Sequence, residues 1–316
     1  MNASEQYHIR AARLDDTHAI AALFQSEIPV WQRMTSGGGV ESLPHTALTI
    51  YERWTHGGPW MSDETAAIHL SRLLRGAGMT LLAESTSTGQ VAAYAELYPG
   101  DEPEPLGAHL HLGRLVYQSD AQAQLLLRAL IDLAQSSGGK LTVSLPTGVA
   151  DDKAGLYRDL RLSPLVSVQR YHLPARTGQG FYKVNEHPGS SAAQIDGWHM
   201  PVGRLESARQ HWEELWPRTW EILPEMNARR IHRLAISASG HEAFICCYQQ
   251  LNPRSADVYV WSARTLSPPL LTAIRDWAHR QNYRTLSCVV TPDGAKILGT
   301  EAEPDPVSRT IYNIKR

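Results

Sequence analysis

The sequence predicts an α+β protein whose sheets are mixed, mostly antiparallel and flanked by helices. Three observations support this fold class. A strand, a loop, an amphipathic helix and a second strand follow one another between residues 109 and 145, which is the pattern of a βαβ unit. An apolar hairpin precedes this unit. A similar order of elements recurs after residue 195, with little residue identity to the first copy. Because strands and helices do not alternate throughout, the pattern is not that of a doubly wound nucleotide-binding fold.

The βαβ unit begins with a strand from His109 to Tyr117, after which Gln118-Ser119-Asp120 can form a turn and cap a helix. Gly138-Gly139 ends that helix, and Lys140–Leu145 is the second strand. Backbone amides at the start of such a helix can hold a phosphate group. The apolar face of the helix comprises Leu125, Leu126, Ala129, Leu130, Leu133 and Ala134.

Caps, breakers and apolar periodicity define the other elements of the first half. They are a strand at Tyr7–Ala11, a helix through Ala19–Phe24 that Pro29 ends, a Gly-rich loop at Ser36–Val40, a helix at Thr46–Trp54, a helix opening at Asp63, a hairpin of Met79–Glu84 and Gln90–Tyr98, a helix at Asp151–Leu160 and a strand at Leu165–Leu173.

Pro174–Gln194 is rich in Gly, Pro, Ser and Ala and predicts a linker or a crossing segment. We therefore expect an N-terminal domain at 1–174, a linker at 175–195 and a C-terminal domain at 196–316. The elements predicted in the second half are strands at Trp198–Met200, Arg233–Ser237, His241–Gln250, Ala256–Trp261, Thr285–Val290 and Arg309–Ile314, with helices at Glu206–Leu215 and Pro268–Arg280.

Composition excludes several functional classes. The 316 residues carry a formal net charge of -2, so bulk electrostatics do not favour nucleic acid or an acidic membrane as a partner. The three cysteines include the neighbours Cys246 and Cys247 and form neither a disulfide framework nor a metal-ligand pattern. No apolar segment has the length of a membrane span or the form of a signal region. We expect a cytoplasmic protein.

Four segments, in their order, resemble the GCN5-related N-acetyltransferases, and the whole chain resembles two such domains in tandem. HIRAARLDDTHAIAALF is similar to the first strand and helix of the family, and MTLLAESTSTGQVAAYAEL to its second and third strands. The βαβ unit occupies the position of the acetyl-CoA site. AGLYRDLRLSPL is similar to the late helix of the family, written A-x-x-x-Y-x-x-x-G-F, although Leu162-Ser163 replaces the Gly-Phe ending. The resemblance covers most of residues 7–173 and is weaker over 196–316.

The resemblance implies an N-acyltransferase that uses acetyl-CoA or another acyl-CoA, with a catalytic N-terminal domain and a degenerate C-terminal domain. The acyl-CoA would lie where the central strands splay apart, and its thioester carbonyl would accept a hydrogen bond from the central strand. The implied cofactor-binding residues are Leu115, Val116, Tyr117, Gln118, Ser119, Ala121 and Ala123.

The diphosphate loop departs from the family pattern Gln/Arg-x-x-Gly-x-Gly/Ala, because no glycine lies between Arg114 and Ser137. Glycines there allow backbone amides to approach the diphosphate closely. One alignment places Gln118, Ala121 and Ala123 on the pattern, and an ungapped one places Gln122, Leu125 and Leu127 there. We favour the first, because alanine can approach a phosphate more closely than leucine. In the second half, WSARTLSPPLL also lacks glycine, and its two prolines each remove an amide donor.

Three residues are candidates for proton transfer. The resemblance implies that Tyr157 protonates the leaving CoA thiolate. Glu96, on the third strand, and His111, on the central strand, are candidates for the base that deprotonates an amine. His109 and His111 lie on one strand face, but no third ligand at suitable spacing accompanies them, so we predict no metal site.

Two functional hypotheses remain open. The chain is either an N-acyltransferase for a primary amine of a small molecule or a peptide, or a catalytically inactive ligand-binding, regulatory or assembly protein that has lost CoA binding. The sequence identifies neither the acceptor nor the acyl chain, and it is compatible with a monomer or a homodimer.

Overall fold

The computed structural model describes residues 6–35, 37–147, 156–157, 160–187, 189 and 191–315. Its strands are β1 (Tyr7–Ala11), β2 (Gln32–Met34), β3 (Val40–Ser42), β4 (Met79–Ser85), β5 (Val91–Glu102), β6 (Gly107–Tyr117), β7 (Lys140–Pro146), β8 (Arg161–Pro174), β9 (Tyr182–Glu186), β10 (His199–Val202), β11 (Ile231–Ala238), β12 (His241–Gln249), β13 (Ser255–Ser262), β14 (Thr285–Val290) and β15 (Glu303–Lys315). Its helices are α1 (Thr17–Ser26), α2 (Ile50–Trp54), α3 (Asp63–Arg72), α4 (Asp120–Ser136), α5 (Ala208–Leu215), α6 (Pro224–Asn227), α7 (Pro268–Arg280) and α8 (Pro292–Leu298).

These elements confirm the predicted α+β class and its tandem order. In each half a hairpin, a strand, a long helix and another strand follow one another: β4 to β7 around α4, and β11 to β14 around α7. Where an observed element differs from the predicted one, neighbouring contacts explain the difference. The helix predicted at Thr46–Trp54 begins only at Ile50, because the Thr49 side chain accepts the Glu52 amide and closes a capping box. Most of the helix predicted at Asp151–Leu160 lies outside the described residues.

The chain divides into two compact units, and the first comprises Met1–Tyr98 and Leu112–Leu133. Its sheet has the order β1-β4-β5-β6, in which β4 is antiparallel to both β1 and β5. The core of this unit joins α1, α3 and the turn around Trp60 to β4 and β5. Its largest buried side chains include Phe24, Trp60, Leu70 and Tyr94.

The second compact unit comprises Pro99–His111 and Ala134–Arg316. Its sheet continues from the first part of β6 in the order β7-β15-β8-β14-β13-β12-β11-β9, and β10 pairs with β13 beside this path. Strand β9, which pairs with β11, lies inside the segment predicted as a linker. One core lies around α7 and β11 to β14, and a second contains the stacked Trp212 and Trp216 with Trp261.

The last strands of the two halves are exchanged within the second unit. β15 lies between β7 and β8 and is antiparallel to both, so that Thr310 is paired with Leu145 and with Ser167. β8 is in turn antiparallel to β14, with Leu173 opposite Leu286. The final strand of each half therefore pairs with the other half. This exchange joins both halves in one sheet. The domain borders expected at 174 and 196 stay a prediction.

Among the described residues, no helix combines the length and the apolarity needed to cross a membrane.

Candidate functional site

The loop that follows the central strand of the first half is short. Strand β6 ends at Tyr117 and α4 begins at Asp120, which leaves only Gln118 and Ser119 between them. The Gln118 amide donates to the Ala92 carbonyl at 3.0 Å, so it completes the sheet. The amides of Gln122 and Ala123 both donate to the Ser119 carbonyl at 3.1 Å. Helix geometry leaves the amides of Asp120 and Ala121 without an acceptor inside the helix, and these could meet a phosphate.

The predicted cofactor-binding residues differ in their exposure to solvent. Leu115 and Val116 are buried and Tyr117 is half-buried at the end of β6, while Gln118, Ser119 and Ala121 are exposed. Ala123 has its side chain in the core and its amide bonded within the helix. Ala123 is placed this way because α4 begins three residues earlier, inside the segment that the family pattern treats as loop. Asp120 adds a carboxylate to the first turn of α4, where it favours the helix but repels an anion.

Glu96 lies in the first unit at the centre of a buried polar cluster. Its side chain is 0% exposed. Trp60 Nε1 donates to Oε1, while Tyr98 Oη donates to Oε2 at 3.0 Å and His69 Nε2 lies 3.2 Å from Oε2. Arg114 Nε approaches Oε2 to 3.6 Å. Both carboxylate oxygens are thus already engaged by the protein.

These contacts determine the charge of Glu96. Burial alone would raise its pKa, but His69, Arg114 and the Trp60 N–H outweigh burial and hold the pKa below its ordinary value. A general base must reach its substrate and works best with a pKa near the operating pH. The environment of Glu96 therefore favours a structural role, in which the carboxylate fixes the Arg114 side chain. Its role as a base stays a prediction.

His111 lies in the second unit between a hydroxyl and a carboxylate. It is fully buried. Its Nδ1 lies 3.0 Å from Thr142 Oγ1, and its Nε2 lies 3.0 Å from Glu206 Oε2. Glu206 also meets Arg309, whose Nη2 lies 3.2 Å from Oε1. No sequence pattern pointed to Glu206, because it follows His111 by 95 residues and lies in the half predicted to be degenerate.

Tyr157 also lies in the second unit, in a short turn whose carbonyl accepts the Leu160 amide at 3.1 Å. Its side chain is mostly buried. Residues 151–155 and 158–159 lie outside the described residues, so the structure does not test the acid role of Tyr157. Of the three predicted proton-transfer residues, Glu96 belongs to the first unit, and His111 and Tyr157 belong to the second.

In the C-terminal half, the chain itself fills the space between the two central strands. β13 and β14 pair in parallel only from Ser255 with Thr285 to Val258 with Cys288. Farther along, β10 is antiparallel to β13, with Val202 opposite Val260. The next residue, Gly203, donates its amide to the Val289 carbonyl of β14 at 2.7 Å. Residues 199–203 thus hydrogen-bond to both strands where they separate.

Gly203 is required for this insertion. Its φ of +91° belongs to the left-handed region, and an added Cβ would lie 2.6 Å from the Tyr259 ring and 2.7 Å from the Val258 carbonyl oxygen. Beside the inserted segment is a cavity of about 340 Å³, whose walls include Met200, Leu266 and Ile297. Among the described residues, no group of three or more His, Cys, Asp or Glu side chains could hold a metal ion.

No protein-family model and no curated protein matches the sequence. Solved structures do match. A GCN5-related N-acetyltransferase from Anabaena variabilis is 10% identical, with 97% of this chain and 72% of that chain covered and a TM-score of 0.58. One from Kribbella flavida is 13% identical, with coverages of 98% and 71% and a TM-score of 0.53. A Pyrococcus horikoshii structure is 13% identical, with coverages of 100% and 91% and a TM-score of 0.51. The chain therefore has the fold of the GCN5-related N-acetyltransferases.

Proposed function

We propose that the protein is an acyl-CoA-dependent N-acyltransferase, an N-acetyltransferase in the first place, that acts on a primary amine. The observation that carries the proposal is the shared fold, which extends over nearly the whole chain in the two GCN5-related N-acetyltransferases compared. In the N-terminal half this fold places the start of the long helix α4 directly after the central strand β6.

The start of α4 offers enough backbone amides to bind one phosphate group, but not enough to enclose a diphosphate. The amides of Asp120 and Ala121 are available there, and the small, exposed Ala121 side chain allows close approach. The Asp120 carboxylate opposes an anion at the same place. We assign the acyl donor to this helix start, with Leu115, Val116 and Tyr117 on the adjoining strand, and expect modest affinity.

The C-terminal half is assigned a different role. Residues 199–203 hydrogen-bond to both central strands at the position where the family fold receives its acyl donor. The helix that follows, α7, begins with Pro268 and Pro269, which lack amide donors. We propose that this half binds no acyl-CoA and supports the N-terminal half through the exchanged strands. One donor site per chain follows from this assignment.

The test is CoA release from acetyl-CoA, followed with a thiol reagent, across a panel of polyamines, amino sugars, amino acids and peptides. We expect amine-dependent release with at least one acceptor class. Ala121→Asp places a second carboxylate at the helix start and should abolish release. Ala263→Asp changes an exposed alanine in the corresponding loop before α7 and should leave it unchanged. Equal loss in both variants contradicts the assignment of the donor to the N-terminal half.

The contacts at the start of α4 also support a second function, in which the protein is not an enzyme. The engaged amides of Gln118, Gln122 and Ala123, together with Asp120, also suit a ligand-binding or assembly protein that has lost CoA binding. A folded wild-type protein that shows no heat with millimolar acetyl-CoA would support this alternative.

A further inference from the structure

We propose that the second compact unit binds a small, uncharged and mainly apolar molecule that carries a hydroxyl group, in the cavity beside residues 199–203. All residues that line this cavity belong to the second unit. Its volume of about 340 Å³ is well above that of one water molecule, about 30 Å³. It lies at the lower end of the range of about 300–1,000 Å³ that is typical of ligand sites. The inference goes beyond the proposed transferase function and does not depend on that reaction.

The wall of the cavity is built from five segments that are distant in sequence. They are the loop between β5 and β6, strand β8, strand β10 with the residues after it, the loop before α7, and α8. Each segment contributes an apolar side chain to the wall: Leu106, Val166, Met200, Leu266 and Ile297. Because an apolar cavity holds water poorly and takes up apolar molecules instead, most of the ligand must be apolar.

Each aspartate, glutamate and arginine that lines the cavity has an oppositely charged partner. The pairs are Glu102 with Arg204, Glu104 with Lys140 at 2.9 Å, and Asp293 with Lys296 at 2.7 Å. A charged ligand would have to compete with one of these partners, and at the buried pair it would leave a charge without its counter-charge, which is costly. The charges of the wall therefore favour an uncharged ligand.

His199 on β10 gives the cavity a polar group. Its imidazole is half-buried, and within the part of the chain that the structure describes it has neither a hydrogen bond nor an ion pair. Burial lowers the pKa of His199, and Arg204 lowers it further, although Glu102 opposes both. The ring is therefore neutral at pH 7, with one nitrogen that donates and one that accepts a hydrogen bond. A hydroxyl group on the ligand can bind to either nitrogen.

An acyl-CoA does not suit this cavity, although the cavity adjoins the two central strands of the C-terminal half. Among the described residues that line it, Arg204 is the only arginine or lysine, and Glu102 already engages it with both oxygens. The phosphate groups of CoA would find no other cation in the wall. Helix α7, which follows Leu266, begins with two prolines that lack amide donors. The cavity therefore fits a molecule without phosphate.

The test is fluorine NMR on the full chain with 4-(trifluoromethyl)phenol as the probe and (trifluoromethyl)benzene as the matched probe without a hydroxyl. We expect saturable line broadening with both, and about two- to tenfold weaker binding without the hydroxyl. His199→Phe keeps an apolar ring in the wall and should remove this difference. Ile297→Trp fills the cavity and should abolish binding of both probes. Leu251→Trp changes a leucine of the same unit that is 81% exposed and should bind as wild type.

Several results would overturn the inference. They are the absence of saturable broadening with folded wild type, binding that persists in Ile297→Trp, and equal affinity of wild type for the two probes. Displacement of the probe by acetyl-CoA would overturn it together with the assignment of one donor site per chain. The proposed transferase function is tested separately, because CoA release from acetyl-CoA needs no probe. Amine-dependent release without probe binding contradicts the inference alone, and probe binding without release from any amine contradicts the transferase function alone.

Discussion

Glu102 and Arg204 form a buried ion pair whose disruption should lower the stability of the protein. Both residues are nearly inaccessible to solvent, at 6% and 5%. The guanidinium contacts both carboxylate oxygens, and Oε1 also accepts the Ala208 amide at 3.3 Å. Arg204→Ala removes the main counter-charge and leaves Glu102 buried. Breaking a buried pair from one side costs about 3–5 kcal/mol, so we expect a loss of that size in the free energy of unfolding at pH 7.

The pH dependence of this loss has a definite sign. In wild type, burial raises the pKa of Glu102, but Arg204, His109 and the Ala208 amide outweigh burial and leave the pKa lowered. A lowered folded-state pKa gives stability above the unfolded-state pKa, and this stability is lost as pH falls through the folded-state value. Without Arg204, burial is largely unopposed and should raise the folded-state pKa. Protonation of Glu102 then removes the cost of burying an unpaired charge. The difference in the free energy of unfolding between wild type and Arg204→Ala should therefore shrink as pH falls.

The assay is urea unfolding at pH 7 and at about pH 5, followed by tryptophan fluorescence. The double variant Glu102→Gln with Arg204→Met removes both charges and should recover most of the deficit, because a neutral pair needs no counter-charge. A deficit below about 1 kcal/mol for Arg204→Ala, or one that does not change with pH, would refute this reasoning.

Three further predictions concern other parts of the chain. Asp120→Asn removes a repelling charge from the start of α4 and should tighten acetyl-CoA binding about two- to fivefold, measured by calorimetry; weaker binding would contradict the assigned phosphate position. Gly203→Ala forces a Cβ to within 2.7 Å of the backbone and should cost about 2–5 kcal/mol in urea unfolding. Gly240→Ala, with a similar φ but open space around it, should cost about 1 kcal/mol, and equal costs would argue against the inserted segment. Thr310→Pro should cost at least about 3 kcal/mol, because β15 has a neighbour on each side, and a cost below about 1 kcal/mol would contradict the strand exchange.

Local sequence patterns predicted much of the fold because their causes are local. β1 is observed at the predicted Tyr7–Ala11, and α7 begins at Pro268 after the Ser267 cap and ends at Arg280 as predicted. The confirmed fold class followed from the order of such elements. Each of these features depends on periodicity, caps and turns within a few residues.

The features that define the candidate site depend on contacts between distant residues. No local pattern states that β15 inserts between β7 and β8, because strands far apart in sequence pair through backbone groups that every residue carries. The sequence also did not predict the pairing of β10 with β13. Gly203, which follows β10 and needs a positive φ, could have indicated a backbone turn at this point. Glu206 meets His111 only because the segment after Gly203 runs to β7, where Ser144 binds it. Such partners can be read from a structure but not from spacing.

The start of α4 shows why motif alignment had limited value. The ungapped register kept the loop at family length and the favoured register shortened it. In the structure only two residues separate β6 from α4, so most of either pattern falls inside the helix. Residues of high helix propensity extend α4 backwards into the motif, and the Ser119 carbonyl accepts the amides of Gln122 and Ala123 there. Ala123 consequently faces the core, although its spacing matched the pattern.

Isothermal titration of acetyl-CoA into the full chain, with desulfo-CoA as a control ligand, shows whether the N-terminal half holds an acyl donor. We predict binding at one site per chain, lost in Ala121→Asp and retained in Ala263→Asp. Two sites per chain would contradict the proposal that residues 199–203 occupy the donor position of the C-terminal half. No binding to a folded protein would contradict the donor site at the start of α4.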